Sequence, residues 1–181
     1  EPNKRRVQDL TYTYDPTGNI IHIADAAQPR IYFANDCVDA SNEYRYDALY
    51  RLVAATGREH KGRDLQPDWD DGQRMGNLVP FNCSELRRYV ETYRYDAVGN
   101  VVQMVHHLGS DLDKQGKVVW NRRYQYPIDN NRLRCTSNYG ELELPDYSDG
   151  LTQYTQHYIY DVQGNMTWMP HLPLMQWSYR D

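Results

Sequence analysis

Five times in 181 residues the chain returns to one pattern: two tyrosines flanking a single residue, followed in four of the five by aspartate. The copies open at Tyr12, Tyr44, Tyr93, Tyr124 and Tyr158, so the intervals are 32, 49, 31 and 34 residues. They read Tyr12-Thr-Tyr14-Asp15-Pro-Thr-Gly18-Asn19, Tyr44-Arg-Tyr46-Asp47-Ala-Leu-Tyr50-Arg51, and Tyr93-Arg-Tyr95-Asp96-Ala-Val-Gly99-Asn100. A degenerate copy, Tyr124-Gln-Tyr126-Pro127, precedes the last full one, Tyr158-Ile-Tyr160-Asp161-Val-Gln-Gly164-Asn165. A repeat of this period signals a chain built from small units, none of which buries its own apolar face alone.

Each part of the motif has a physical reason. Side chains alternate across a strand, so Tyr-x-Tyr puts both rings on one face. Thr13, Arg45, Arg94 and Gln125 then face the other way, with Ile159 the exception. Asp-x-x-Gly suits a type I turn, in which aspartate bonds back to the backbone and glycine tolerates positive φ. Apolar strands follow, as at Ile20-Ile-His-Ile23 and Val101-Val-Gln-Met-Val105. Every unit therefore predicts a β-hairpin. The second copy places Tyr50 where glycine is expected, so its turn must differ or carry strain.

Composition agrees. Leu, Ile, Val and Phe make up only about 19% of the chain, while tyrosine contributes 17 residues against 2 Phe. A core short of aliphatics has to use tyrosine rings and give their hydroxyls partners, which favours pleated, half-buried surfaces. The predicted fold class is all-β: tandem hairpins in a curved, twisted antiparallel sheet. Repeats are expected near 12–33, 44–57, 93–107, 124–137 and 158–179, with a polar loop insert over 58–83 and a second loop over 139–150. The same repeat resumes after each loop, so 1–181 reads as one region. The best helix candidate is Ser84–Val90, a stretch that equally leads into the strand at Tyr93. The missing initiator Met and a strand opening near Trp177 point to a section of a longer chain.

Several functions lack support. The net charge is −5, so a broad phosphate-binding surface and a nucleic-acid partner are not expected. Mean hydropathy is −0.89 and no long apolar run occurs, so neither membrane insertion nor a signal peptide is visible. Cys37, Cys83 and Cys135 form no metal-binding pair and read as small buried hydrophobes. His106-His107 point to opposite faces of a strand and cannot jointly hold one ion. Asp68-Trp-Asp70-Asp71-Gly72 misses the calcium-loop spacing by one residue. No nucleophile elbow or phosphate loop is present, and the repeat aspartates serve as turn formers. No cofactor and no catalytic residue are assigned.

The Tyr-x-Tyr-Asp-x-x-Gly-Asn pattern resembles the YD repeat of Rhs proteins, bacterial polymorphic toxins and teneurins. Ala54-Ala-Thr-Gly-Arg-Glu-His60 and the ending Gly164-Asn-Met-Thr-Trp-Met-Pro-His-Leu-Pro-Leu-Met-Gln-Trp-Ser-Tyr179 are similar, more specifically, to the Rhs region of B and C subunits of insecticidal toxin complexes. That resemblance implies a β ribbon that spirals into a hollow shell around a toxic C-terminal polypeptide, secreted as part of the complex. Its partners would be the rest of the shell and the enclosed polypeptide. The family's self-cleaving aspartate segment is not carried over: Asp15-Pro-Thr-Gly18 has similar letters but lies inside a repeat. The expected role is thus a non-enzymatic section of wall, with Arg45 and Arg94 the candidates for touching cargo or carbohydrate. The alternative is an extracellular carbohydrate- or protein-binding module like the teneurin adhesion proteins. A small hydrolase is the third and weakest reading.

Overall fold

The computed structural model describes residues 6–33, 36–61, 85–114, 116–138 and 154–178. Among them there is no helix. The strands are β1 (Leu10–Tyr14), β2 (Ile20–Asp25), β3 (Ile31–Phe33), β4 (Asp36–Val38), β5 (Ser41–Tyr46), β6 (Leu52–His60), β7 (Leu86–Tyr95), β8 (Val101–Leu108), β9 (Val118–Gln125), β10 (Cys135–Thr136), β11 (Gln156–His157), β12 (Ile159–Tyr160) and β13 (Met166–Trp168). Nine of them form one sheet in the order β1-β2-β5-β6-β7-β8-β9-β10-β11, while β3-β4 and β12-β13 are separate hairpins. The sheet does not close on itself. The fold class is the all-β, antiparallel one that the repeat dictates.

Two boundaries shift. Residues 58–60, assigned to the loop insert, continue β6 and pair with β7 through Arg58↔Arg88, Glu59↔Arg87 and His60↔Leu86. The helix candidate becomes the start of β7, because those residues find backbone partners on β6 that local spacing does not reveal. Most of the insert, all of its acidic stretch 68–72, and the loop at 139–150 lie outside the described residues.

Two compact units divide the chain, with β7, β8 and β9 contributing residues to both. The first holds β1 to β6 and has Val38, Ala54, Ala55, Val90 and Trp120 as its buried apolar residues. Its register confirms the two-faced strand. Tyr12 lies opposite Ile23, Ile23 opposite Asn42, and Tyr44 opposite Ala55, so these side chains share a face. Arg45 lies opposite Ala54 on the other face. The rings of Tyr12 and Tyr14 stack at 6.5 Å.

The second unit holds β10 to β13 with the turn-proximal ends of β7 and β8. Its buried residues are mostly polar or small: Gln103, Arg123, Gln125, Cys135, Thr136 and Ser137, with Tyr154 the large ring among them. Cys135 and Gln125 are opposite each other, and the Cys135 thiol contacts Gln125 Oε1 at 3.0 Å. Cys135 is therefore the buried hydrophobe expected, whereas Cys37 is exposed on the small β3-β4 hairpin, where strand alternation turns the neighbouring Val38 inward and Cys37 outward. Cys83 lies outside the described residues.

Candidate functional site

The repeated turn is the most regular feature of the molecule. The Asp15 carbonyl accepts from the Gly18 amide at 3.1 Å, and the same bond recurs at Asp47–Tyr50 (3.0 Å), Asp96–Gly99 (3.2 Å) and Asp161–Gly164 (3.1 Å). In each copy the aspartate amide donates to the carbonyl four residues on, at 2.9 to 3.0 Å. The fourth turn residue has positive φ: 96° at Gly18, 61° at Tyr50, 100° at Gly99 and 97° at Gly164. The register slips by one residue beside the first, second and fifth turns, marking a bulge. A type I turn followed by a left-handed residue and a bulge suits the right-handed twist of the flanking strands. Tyr50 thus does not change the turn; it carries the strain.

The aspartate side chain braces this turn. Asp15 Oδ1 accepts from the amides of Thr17 and Asn19, both at 2.9 Å, while Oδ2 accepts from Asn19 Nδ2 at 2.8 Å. Asp96 repeats the arrangement with Val98 and Asn100, and Asp161 with Asn165. In the second copy Arg51 replaces asparagine, and its Nε donates to Asp47 Oδ2 at 2.7 Å. Hydrogen bonds from Asn19 and Thr17 hold the Asp15 carboxyl down at about 2. Asp47, Asp96 and Asp161 are also held below the usual range: the Arg51 amide leads at Asp47, and at the other two the asparagine bonds outweigh partial burial. The fourth copy has Pro127 in place of aspartate; there Asn130 Oδ1 takes the amide of Arg132 at 2.9 Å.

Tyrosines tie repeat to repeat. Tyr46 Oη donates to the carbonyl of Ile20, the first residue after the preceding turn, at 2.9 Å. Tyr160 Oη donates at 3.1 Å to Leu133, which holds the matching position after the fourth turn. The remaining motif positions fall where the repeat puts them: Tyr93 and Tyr95 close β7, Tyr124 lies in β9 with Tyr126 just beyond, and Tyr158 immediately precedes β12.

Arg45 and Arg94 are both exposed. Arg45 pairs with Asp113 at 2.9 Å, while Arg94 donates to Gln103 Oε1 at 3.2 Å. Gln103 continues the chain of polar contacts to Asn121 at 3.1 Å. Each guanidinium already has a neighbour but keeps an open side.

One cluster escaped the repeat logic. His106 in β8 is only 4% exposed and sits between two carboxylates. Its Nδ1 is 3.1 Å from Glu91 of β7 and its Nε2 is 3.2 Å from Glu59 of β6. Arg87 pairs with Glu59 at 2.8 Å, and Tyr93 donates to Glu91 at 2.7 Å. The imidazole stacks on Trp120 at 5.1 Å and meets the Tyr89 ring at 4.6 Å. Burial disfavours the imidazolium, yet the two carboxylates outweigh it and raise the pKa to about 9. Burial likewise pushes the Glu91 carboxyl up, but His106 and Tyr93 bring it below the usual range. Burial drives Tyr89 up to about 12. Partners 47 residues apart in sequence give no local signal. His107 faces the opposite way and is also buried.

Among the described residues no group of three or more His, Cys, Asp or Glu is placed to hold a metal ion, and no helix is long and apolar enough to cross a membrane.

No family model matches the chain. It is 37% identical over 102 residues to toxin subunit YenC1 of Yersinia entomophaga, and 38% identical over 106 residues to toxin subunit YenC2 of the same organism. These matches cover 56% and 55% of this chain but only 10% of each relative, so the chain spans about a tenth of their length. Among solved structures, the Photorhabdus luminescens Tc holotoxin pore is similar over 89% of this chain and 7% of the other, with a TM-score of 0.55 and 26% identity. The recurring motif, the antiparallel sheet built from it and these likenesses together make the chain similar to the Rhs region of subunits of insecticidal toxin complexes.

Proposed function

We propose that this chain is a section of the wall of a toxin-complex shell, and that its task is to enclose a toxic polypeptide rather than to catalyse a reaction. The observation that carries this reading is the repetition of one braced turn at four places. At three of them it adds a hairpin to one sheet, whose first strand, β1, has an unpaired edge among the described residues. A sheet extended in this way twists, and with bulges beside its turns it bends, which is the geometry a hollow wall needs. The likeness to toxin subunits supports the setting: a secreted complex, in which this segment meets neighbouring wall strands and the enclosed polypeptide. Arg45 and Arg94 lie on the face opposite the tyrosines and are the positions proposed to touch the cargo.

Protease protection tests the proposal. In the full-length subunit the downstream toxic polypeptide should resist added protease. It should become digestible when Val90, fully buried in β7, is replaced by Asp. A polypeptide cut equally fast in both proteins would overturn the reading.

A further inference from the structure

We infer that Glu59, His106 and Glu91 form a proton-dependent clamp that fastens β6, β7 and β8 together while His106 is charged and loosens them when it is not. The geometry is a bracket. A flat imidazole lies between two carboxylates from two different strands, at 3.2 and 3.1 Å, in a position that is 4% exposed. Trp120 closes one side of the ring and Tyr89 packs against it, so water has little room to replace a lost contact.

The charges facing this ring make the clamp depend on a single proton. β6 presents Glu59, which is shared with Arg87 of β7. β7 presents Glu91, held by Tyr93, and Tyr89, whose phenol stays neutral until about pH 12. β9 presents Trp120, which carries no charge. With the imidazole protonated, two anions and two cations lie together, Nδ1 donates to Glu91 and Nε2 stands at ion-pair distance from Glu59. Once the proton leaves, one nitrogen can only accept and confronts a carboxylate oxygen. Glu59 then keeps Arg87 and Glu91 keeps the Tyr93 hydroxyl, but the cation that stood between the two part-buried carboxylates is gone.

The sign follows from the direction of the shift. The folded pKa of His106 is raised above 6.5, so its contribution is complete below that value and is lost as pH climbs through about 9. The glutamate side acts in the opposite sense: the Glu91 pKa is depressed, so its contribution is lost in acid, below its ordinary 4.5. The clamp is therefore tightest in the mildly acidic range and opens towards alkali. This holds whatever the wall encloses.

The experiment is an imidazole NMR titration of the chain from about pH 6 to about pH 10, paired with amide hydrogen exchange corrected for the intrinsic pH dependence. One of the six histidines should titrate near pH 9, and that signal should vanish in His106→Gln. Amides of β6, β7 and β8 should lose protection over the same interval, while the β1-β2 hairpin keeps its own. Because His106→Gln can unfold the strands outright, Glu91→Gln supplies the second variant. It should lower the His106 midpoint by at least about one pH unit without abolishing it. All six imidazoles titrating between about pH 6 and about pH 7 would overturn the inference. So would unchanged protection of the three strands after His106 has lost its proton.

Discussion

Tyr46 reaches back across the sheet and donates its hydroxyl to the backbone carbonyl of Ile20, 2.9 Å away and 26 residues earlier. Tyr160 makes the matching bond to Leu133. In these two copies the second tyrosine of the motif is thus a fastener between successive repeats, a role that phenylalanine cannot fill. Replacing Tyr46 by Phe keeps the ring and removes the bond. We expect a loss of about 0.5–1.5 kcal/mol in urea unfolding, with an unchanged far-ultraviolet spectrum.

Tyr50 and Gly99 occupy the same place in two turns and should respond in opposite senses. Tyr50 holds φ 61° with a ring that is 60% exposed, so Tyr50→Gly gives up little packing and relieves the left-handed strain. The expected gain is about 0.5–1 kcal/mol. Nothing lies within 4 Å of a Cβ added at Gly99, so Gly99→Val tests the backbone alone. At φ 100° a β-branched residue should cost about 1–3 kcal/mol. Equal stability of Gly99→Val and the unmodified chain would contradict the turn assignment.

The aspartate brace makes a prediction in acid. Its carboxyls are held below 3.8 in the folded chain, so their contribution is present above that value and disappears as pH falls through the lower, folded one, about 2 at Asp15. Asp96→Ala should cost about 1 kcal/mol at neutral pH, a figure kept small because the group is open to solvent. The gap between Asp96→Ala and the unmodified chain, read as urea midpoints, should narrow steadily below about pH 4.

Gly57 sits opposite Tyr89 in the β6-β7 pair, and the Tyr89 ring lies over it where a Cβ would stand. His106 wedges that ring from the far side, so it cannot swing away freely. Gly57→Ala should destabilise by about 1–3 kcal/mol. The cost should shrink when combined with Tyr89→Ala, as non-additive unfolding energies of two touching residues.

What the sequence made legible were the features its period repeats. Asp-x-x-Gly announces the turn because aspartate and glycine each do something at that spacing that other residues do poorly, and Tyr-x-Tyr announces the shared face. Tyr50 was recognisable as the strained member because it broke that rule. The true extent of β6 and β7 was hidden, because Glu59 and Arg87 meet across 28 residues and only the paired strands bring them together. His106 looked like one half of an unremarkable histidine pair. Its partners lie on other strands, and Trp120 belongs to no repeat. The exposure of Cys37 was equally unreadable, since a small thiol takes either environment and only the face it takes on β4, opposite the buried Val38, decides it.

Electron cryo-microscopy of the full-length subunit tests the central claim most directly. The account requires the nine-stranded sheet from β1 to β11 to appear as part of a closed wall, with the turns at Asp15, Asp47, Asp96 and Asp161 intact and polypeptide density enclosed behind them. The same strands forming a free-standing sheet, with solvent on both faces and no enclosed chain, would contradict it.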